Sequence, residues 1–266
     1  SLVQIIVQGD NDSIARSNMI DVANQYFYIN EIEKYSESSK MIVEMGQESN
    51  DTVDTARGYQ YLGDYYTDRS NPDSAYYNFT ESEKLYAKTE DRENFGRVKL
   101  KKAYLILKVN DLSLCEAIGI EVLKIAHEVK DLTLEYECYN FLSTVLTAEN
   151  KYEEAIKYNN KALETLKEFK DDPQYFNILT SQTYNSLGSV YMAKKEYQTA
   201  AYYFEKALEM ENLISIHPSF YAFIWDNLIF CQEKLGQDNV LEDYKKGKIK
   251  AKQALCMQDM LTSEDI

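Results

Sequence analysis

Residues 184–208, YNSLGSVYMAKKEYQTAAYYFEKAL, decide the fold. Large and small residues recur there three, four and seven positions apart, which places them on one face of each of two consecutive helices. The small residues allow the two helices to approach closely, and the large residues fill the space beside them. The markers of this helix pair are Tyr184, Leu187, Gly188, Tyr191, Ala200, Phe204 and Ala207.

These seven markers match the W-x2-L-G-x2-Y and A-x3-F-x2-A pattern, with Tyr in place of Trp, and the stretch therefore resembles a tetratricopeptide repeat. The first marker recurs 40, 40, 45 and 41 residues apart, at Tyr59, Lys99, Tyr139, Tyr184 and Trp225. The standard repeat is about 34 residues long, so we expect each helix to be longer by about a turn or two. Longer periods of this kind occur in kinesin light chains and in bacterial peptide-sensing regulators.

The resemblance implies an all-α, right-handed α-solenoid of about six antiparallel helix pairs with a period of about 40 residues. We expect residues 1–12 to form an N-terminal extension, residues 13–255 the repeat domain and residues 256–266 a frayed tail. The first pair, over 14–28 and 32–45, lacks a clear Leu-Gly, as terminal repeats do. A break is expected near Lys170 to Pro173, and the second helix of the fifth pair should end near Asn212.

Three markers depart from the pattern. Lys99 and Lys102 stand where large apolar residues are usual, which indicates displaced packing or a rotated helix face in the third pair. Asn159 replaces the usual aromatic residue of the fourth pair. The departures leave the helix-pair pattern intact and mark the places where its packing should differ.

Composition narrows the possible functions. The net charge of −15 argues against binding to a phosphate backbone, which needs clustered Lys and Arg, and fits a basic or neutral partner. Most of the 23 Tyr recur at helical spacing and are expected to be half-buried packing residues, with a tyrosine-rich binding groove as the alternative. No run approaches the roughly 18 apolar residues that span a membrane. The chain begins at Ser1 without an apolar leader, and we expect a piece of a longer protein.

The sequence offers little for catalysis. Its nine Gly form no phosphate-binding loop, and its two His, His127 and His217, are ninety residues apart. No pair of the four Cys has C-x2-C spacing, so inert core cysteines are favoured over a disulfide or thiol function. We therefore expect no enzyme, no cofactor and no metal site.

The remaining candidate is the inner surface of the solenoid, which the first helix of each pair lines in this kind of repeat. Asn140 and Asn185 occupy equivalent inner positions, and Asn227 lies one residue off. An amide offers both a donor and an acceptor, so a row of amides could pair with the backbone of an extended peptide. The alternative is that these Asn are ordinary polar residues on a solvent-exposed face. The inner positions, with Asp64 beside them, form the predicted binding set Arg57, Gln60, Arg97, Tyr104, Asn140, Thr144, Asn185, Ser189, Asp226 and Asn227.

The segments Gly63–Tyr66, Asp73–Tyr77 and His217–Ala222 are similar to the sensor regions of certain bacterial regulators. In those proteins a tetratricopeptide array outside the cytoplasm precedes a transmembrane helix and then a histidine kinase or LuxR-type DNA-binding domain. The resemblance implies a module that binds a protein or peptide in bacterial signalling or transcriptional regulation. It favours an extracytoplasmic location and leaves a cytoplasmic one open. The alternative function is a scaffold or assembly adaptor.

Overall fold

The computed structural model describes residues 12–169, 173–210 and 213–264, and every regular element in this part of the chain is a helix. The first six helices are α1 (Asp12–Tyr28), α2 (Ile32–Glu48), α3 (Thr52–Asp68), α4 (Pro72–Tyr86), α5 (Arg92–Lys108) and α6 (Leu112–Val129). They are followed by α7 (Leu132–Ala148), α8 (Tyr152–Leu166), α9 (Pro173–Ala193), α10 (Tyr197–Leu208), α11 (Leu213–Ile216), α12 (Pro218–Leu235) and α13 (Asp238–Glu264).

The turns between helices explain the long period. A residue with left-handed backbone ends most turns of the first four pairs, and these residues recur in steps of twenty or forty: Asn30, Asn50, Ser70, Asn110, Lys130 and Asn150. Asn, the commonest of them, tolerates this conformation better than most residues. A helix of 15 to 18 residues plus its turn therefore makes a unit of about twenty residues, and two units give the period of forty that the sequence predicts.

Side chains cap the N-termini of several helices. The carboxylate of Asp51 accepts from the backbone N–H of Val53 at 3.1 Å and of Asp54 at 3.0 Å, and Asp91 accepts from Asn94 N–H at 3.0 Å. Each cap satisfies amide hydrogens that have no partner inside the helix. Pro72 is the first residue of α4, where a backbone N–H would have no partner inside the helix.

The chain divides into two compact units, Ser1–Leu134 and Glu135–Ile266. In the first unit each helix from α1 to α5 packs against the next one along the chain. A Cβ atom at Gly63 would lie 2.4 Å from two ring carbons of Phe79, so only a residue without a side chain lets α3 and α4 approach this closely. Ser82, also buried, donates from its hydroxyl to the carbonyl of Ala56 at 2.7 Å.

The second unit has the same kind of helix contact, formed by residues 184–208. Gly188 of α9 faces Phe204 of α10, where a Cβ would lie 2.6 Å from the ring. Phe204 and Ala200 are fully buried together with Leu228 of α12, which packs against α10. The repeat markers thus form the core, and the predicted fold class, an all-α array of helix pairs of the tetratricopeptide kind, is confirmed.

Some boundaries differ from those expected. Helix α10 ends at Leu208, four residues before the predicted end near Asn212, and the short α11 precedes the sixth pair. Helix α8 ends at Leu166, while the expected break at 170–172 lies outside the described residues. Residues 1–11 of the expected N-terminal extension lie outside them too, and its last residue, Asp12, begins α1. Helix α13 continues through position 256, where the tail was expected to begin. No helix among the described residues is long and apolar enough to cross a membrane.

Candidate peptide-binding surface

Two of the predicted amides meet in the second unit. The Asn227 side chain of α12 donates from Nδ2 to Oδ1 of Asn185 on α9, at 3.4 Å, and both residues are half-buried. One turn along α9, the Ser189 hydroxyl donates to the backbone carbonyl of Asn185 at 2.9 Å. The two amides therefore form a polar strip that joins consecutive helix pairs and keeps further hydrogen-bonding capacity on each side chain.

Two phenyl rings flank this amide pair. Phe223 and Phe230 lie four residues before and three residues after Asn227, so all three share one face of α12. The two Phe are 51% and 41% exposed, whereas Leu228 on the core side of the same helix is fully buried. Phe230 packs edge-on against Tyr197, with ring centroids 6.2 Å apart, which holds the ring in place. We name Asn185, Ser189, Phe223, Asn227 and Phe230 the α9–α12 surface.

The other predicted residues of the second unit have partners close by. The Asn140 amide donates to the carbonyl of Tyr136, one turn earlier in its own helix, at 3.1 Å. Thr144, which is exposed, donates to the carbonyl of Asn140 at 3.0 Å. The exposed carboxylate of Asp226 pairs with the Lys248 ammonium of α13. The structure thus joins Asn185 to Asn227 and turns the Asn140 amide toward its own backbone.

In the first unit, the predicted residues Arg57 and Gln60 lie at the α3–α4 contact. Gln60 is buried, and its Oε1 accepts from the Tyr86 hydroxyl at 3.5 Å. Burial has the largest single effect and lowers the pKa of the Arg57 guanidinium, but Tyr86, Tyr61 and Asp54 together raise it by more, and the net pKa is raised. Burial also raises the pKa of the Tyr86 hydroxyl. Gln60 is therefore a packing residue in this structure, less accessible than an inner-surface position implies.

Charged partners surround Arg97 and the neighbouring Asp64 in this unit. Arg97 pairs with Asp131 and, at 3.3 Å, with Glu93. Burial raises the pKa of the Asp64 carboxyl, an effect that the Lys101 ammonium at 2.6 Å opposes. Tyr104 is 42% exposed. Asp64 thus belongs to an ion pair between α3 and α5. Arg97 pairs within its own helix and with a residue that precedes α7, and Tyr104 presents an accessible ring.

Sequence reasoning missed Phe223 and Phe230. The signal that could have found them is their position: both lie off the apolar stripe of α12 that contains Trp225 and Leu228, on the face that carries Asn227. Elsewhere, the His, Cys, Asp and Glu side chains within the described ranges form no group of three that could hold a metal ion.

Comparison with known proteins agrees with this architecture. Residues 180–213 match the family model for the tetratricopeptide repeat, which covers the stretch with the clearest markers. Comparison with curated proteins gives no significant match. The chain therefore contains a tetratricopeptide repeat.

Solved structures resemble most of the chain. BtubC from P. vanneervenii is 17% identical with a TM-score of 0.66, and the match covers 86% of this chain and 92% of that one. A Rap protein complexed with competence and sporulation factor is 15% identical with a TM-score of 0.71, covering 94% and 68%. NprR in complex with its cognate peptide NprX is 16% identical with a TM-score of 0.66, covering 91% and 67%. At these identities the likeness shows the fold alone, which is tetratricopeptide-like.

Proposed function

We propose that this chain is a binding module for an extended protein or peptide segment, and that it forms the sensing part of a bacterial signalling or regulatory protein. The observation that carries the proposal is the Asn185–Asn227 amide pair lying between the exposed rings of Phe223 and Phe230. Support for a peptide ligand also comes from the fold shared with a Rap protein and with NprR, both of which were solved with bound factors.

The phenyl rings and the amides of the α9–α12 surface contribute differently to binding. The exposed half of a Phe side chain is about 75–125 Å², and covering it contributes about 2–3 kcal/mol at about 25 cal/mol per Å². The phenyl rings thus supply binding strength. The amides pair with the N–H and C=O groups of an extended backbone, each net bond contributing about 0.5–1.5 kcal/mol, and they fix the direction and register of the ligand.

A peptide screen tests the proposal. The purified chain is immobilised and panned against a library of random ten-residue peptides, and the dissociation constant of each selected peptide is measured by fluorescence anisotropy. We expect Asn185→Ala with Asn227→Ala to weaken binding about tenfold or more, which corresponds to about 1.4 kcal/mol. Phe223→Ser with Phe230→Ser should weaken it further, because it removes the larger apolar contribution.

Matched substitutions control for general damage. Asn160 and Gln198 are exposed amides on α8 and α10, and Asn160→Ala with Gln198→Ala should leave binding within about twofold, because exposed polar positions contribute little. Unchanged affinity in both α9–α12 variants would refute the proposed surface. Loss of binding on replacing the exposed Tyr77 of α4 would instead favour the scaffold function.

A further inference from the structure

The two lysines that depart from the repeat pattern border a cavity. Lys99 and Lys102 of α5 occupy positions that normally hold large apolar residues, and their side chains are only 14% and 15% exposed. Their ends meet at a cavity of about 300 Å³ between α4, α5 and α6. We name this cavity the lysine pocket. It lies wholly within the first unit, so it is separate from the α9–α12 surface.

The carboxylates of the pocket differ in accessibility. Glu83 of α4 is 19% exposed; it bonds to the Lys102 ammonium and lies 3.7 Å from that of Lys99. Glu121 of α6 is 51% exposed, and both of its oxygens lie 2.7 Å from Lys99 Nζ. Glu83 is thus an inner counter-ion shared by two ammonium groups. Glu121 is an outer one, and water competes with Lys99 for its half-exposed carboxylate, so this pair is weaker than one buried on both sides.

The rest of the lining is apolar. Ile106 and Ile118 are buried behind the lysines, while Leu114 is 45% exposed at the opening. Tyr76 lies beside Lys102, whose ammonium is 5.5 Å from the ring centroid. Ligand pockets begin at about 300 Å³, so the space suits an apolar body the size of one aromatic side chain. When Glu121 turns outward, the two lysines and Glu83 leave one net positive charge at its edge.

We propose that the lysine pocket binds a small amphiphilic carboxylate, whose apolar body enters between Leu114 and Ile118 and whose carboxylate replaces Glu121 on Lys99. The apolar walls of the pocket favour a ligand with an apolar part, and the surplus ammonium group favours a ligand with a single negative charge. Glu121 acts as the occupant of the anion position when no ligand is bound. Such a carboxylate occurs both in free aryl-alkanoic acids and at the C-terminus of a peptide that ends in an aromatic residue.

Isothermal titration calorimetry of the whole chain with 4-phenylbutyrate tests this inference. We expect saturable binding, weakened at least tenfold by Lys99→Met and largely kept by Lys99→Arg, which retains the charge. Glu121→Gln should strengthen binding about threefold or more, because it removes the competing carboxylate. The uncharged 4-phenylbutanamide should bind at least tenfold more weakly than the acid.

Lys124 and Glu164 provide charge-matched controls, because both are exposed and lie outside the pocket. Lys124→Met and Glu164→Gln should leave the affinity within twofold, and circular dichroism of every variant should match the parent chain. Acetyl-Gly-Gly-Phe with a free or an amidated C-terminus then separates the two sources: binding of only the free form identifies a peptide terminus as a ligand, and binding of neither identifies a small acid. Absence of phenylbutyrate binding, equal binding of the amide, or weaker binding by Glu121→Gln would overturn the inference.

Discussion

Replacement of Gly188 by Ala tests the packing on which the fold depends. The added methyl would lie 2.6, 2.7 and 2.9 Å from three ring carbons of Phe204, closer than side-chain contacts ever are. Phe204 is fully buried, so its ring has little room to move. Overpacking of this kind costs about 1–3 kcal/mol, whereas the better helix propensity of Ala returns about 0.8–1 kcal/mol. We therefore expect a net loss of up to about 2 kcal/mol in the free energy of unfolding.

Gly96 provides the matched control. A Cβ there meets only side-chain atoms, the nearest at 3.1 and 3.2 Å, which need to move by only a few tenths of an ångström. Gly96→Ala should thus be neutral or stabilising by up to about 1 kcal/mol. Urea unfolding followed by far-ultraviolet circular dichroism measures both variants. Amide hydrogen exchange should locate the loss of protection of Gly188→Ala in α9 and α10, because repeats contact only their neighbours.

A double-mutant cycle with Phe204→Leu completes this test. The smaller side chain removes the clash, so the two substitutions together should destabilise less than the sum of their separate effects, with a coupling of about 0.5–3 kcal/mol. If Gly188→Ala is as stable as Gly96→Ala and the coupling is zero, the close approach of α9 and α10 does not have the energetic role assigned to it.

Three further predictions follow from buried polar groups. Asn159→Ala removes the 2.7 Å bond from Nδ2 to the buried Ser143 hydroxyl and should cost about 1–3 kcal/mol in urea unfolding, part of which Ser143→Ala recovers; purely additive losses would contradict this. Burial raises the pKa of the Cys231 thiol to about 11, so at pH 8 a thiol reagent should modify the exposed Cys256 first and Cys231 only on unfolding, as peptide mass spectrometry would show. Burial, together with a hydrogen bond to Glu205, raises the pKa of Tyr244 to about 12. This favours the neutral phenol in the folded state, so its contribution to stability is present below about pH 10, the unfolded value, and is lost between about pH 10 and 12. Urea midpoints measured across that range should fall less steeply in Tyr244→Phe.

The sequence predicts those features of the fold that repeat. The spacing of Gly188, Phe204 and their equivalents indicates the helix pairs, because close contact between two helices demands small and large residues at fixed offsets. It misses the short α11, since a single turn before His217-Pro218 has no periodic pattern of its own. Asn227 lies one residue from the expected position, yet its side chain reaches that of Asn185 at 3.4 Å.

The candidate site is less predictable, because a repeat position indicates the direction of a side chain but does not indicate how deeply that side chain is buried. Gln60 occupies an inner position but is buried beneath Tyr86. Lys99 and Lys102 are recognisable as departures from the pattern, but the cavity beside them depends on Glu83 and Glu121 of two other helices. Such features arise from contacts between elements, which no single helical pattern contains.

The regular spacing of the left-handed turn residues allows a chain of this kind to gain or lose whole helix pairs. Ser70 and Asn110 both have left-handed backbone, and each precedes a side-chain cap, Asn71 or Asp111. A join between residues 70 and 111 would thus retain the sequence of turn, cap and helix while removing one second helix and the next first helix. Recombination between equivalent turns adds or deletes whole pairs without shifting any helical face. Insertion of one residue within a helix, by contrast, rotates everything beyond it by about 100°.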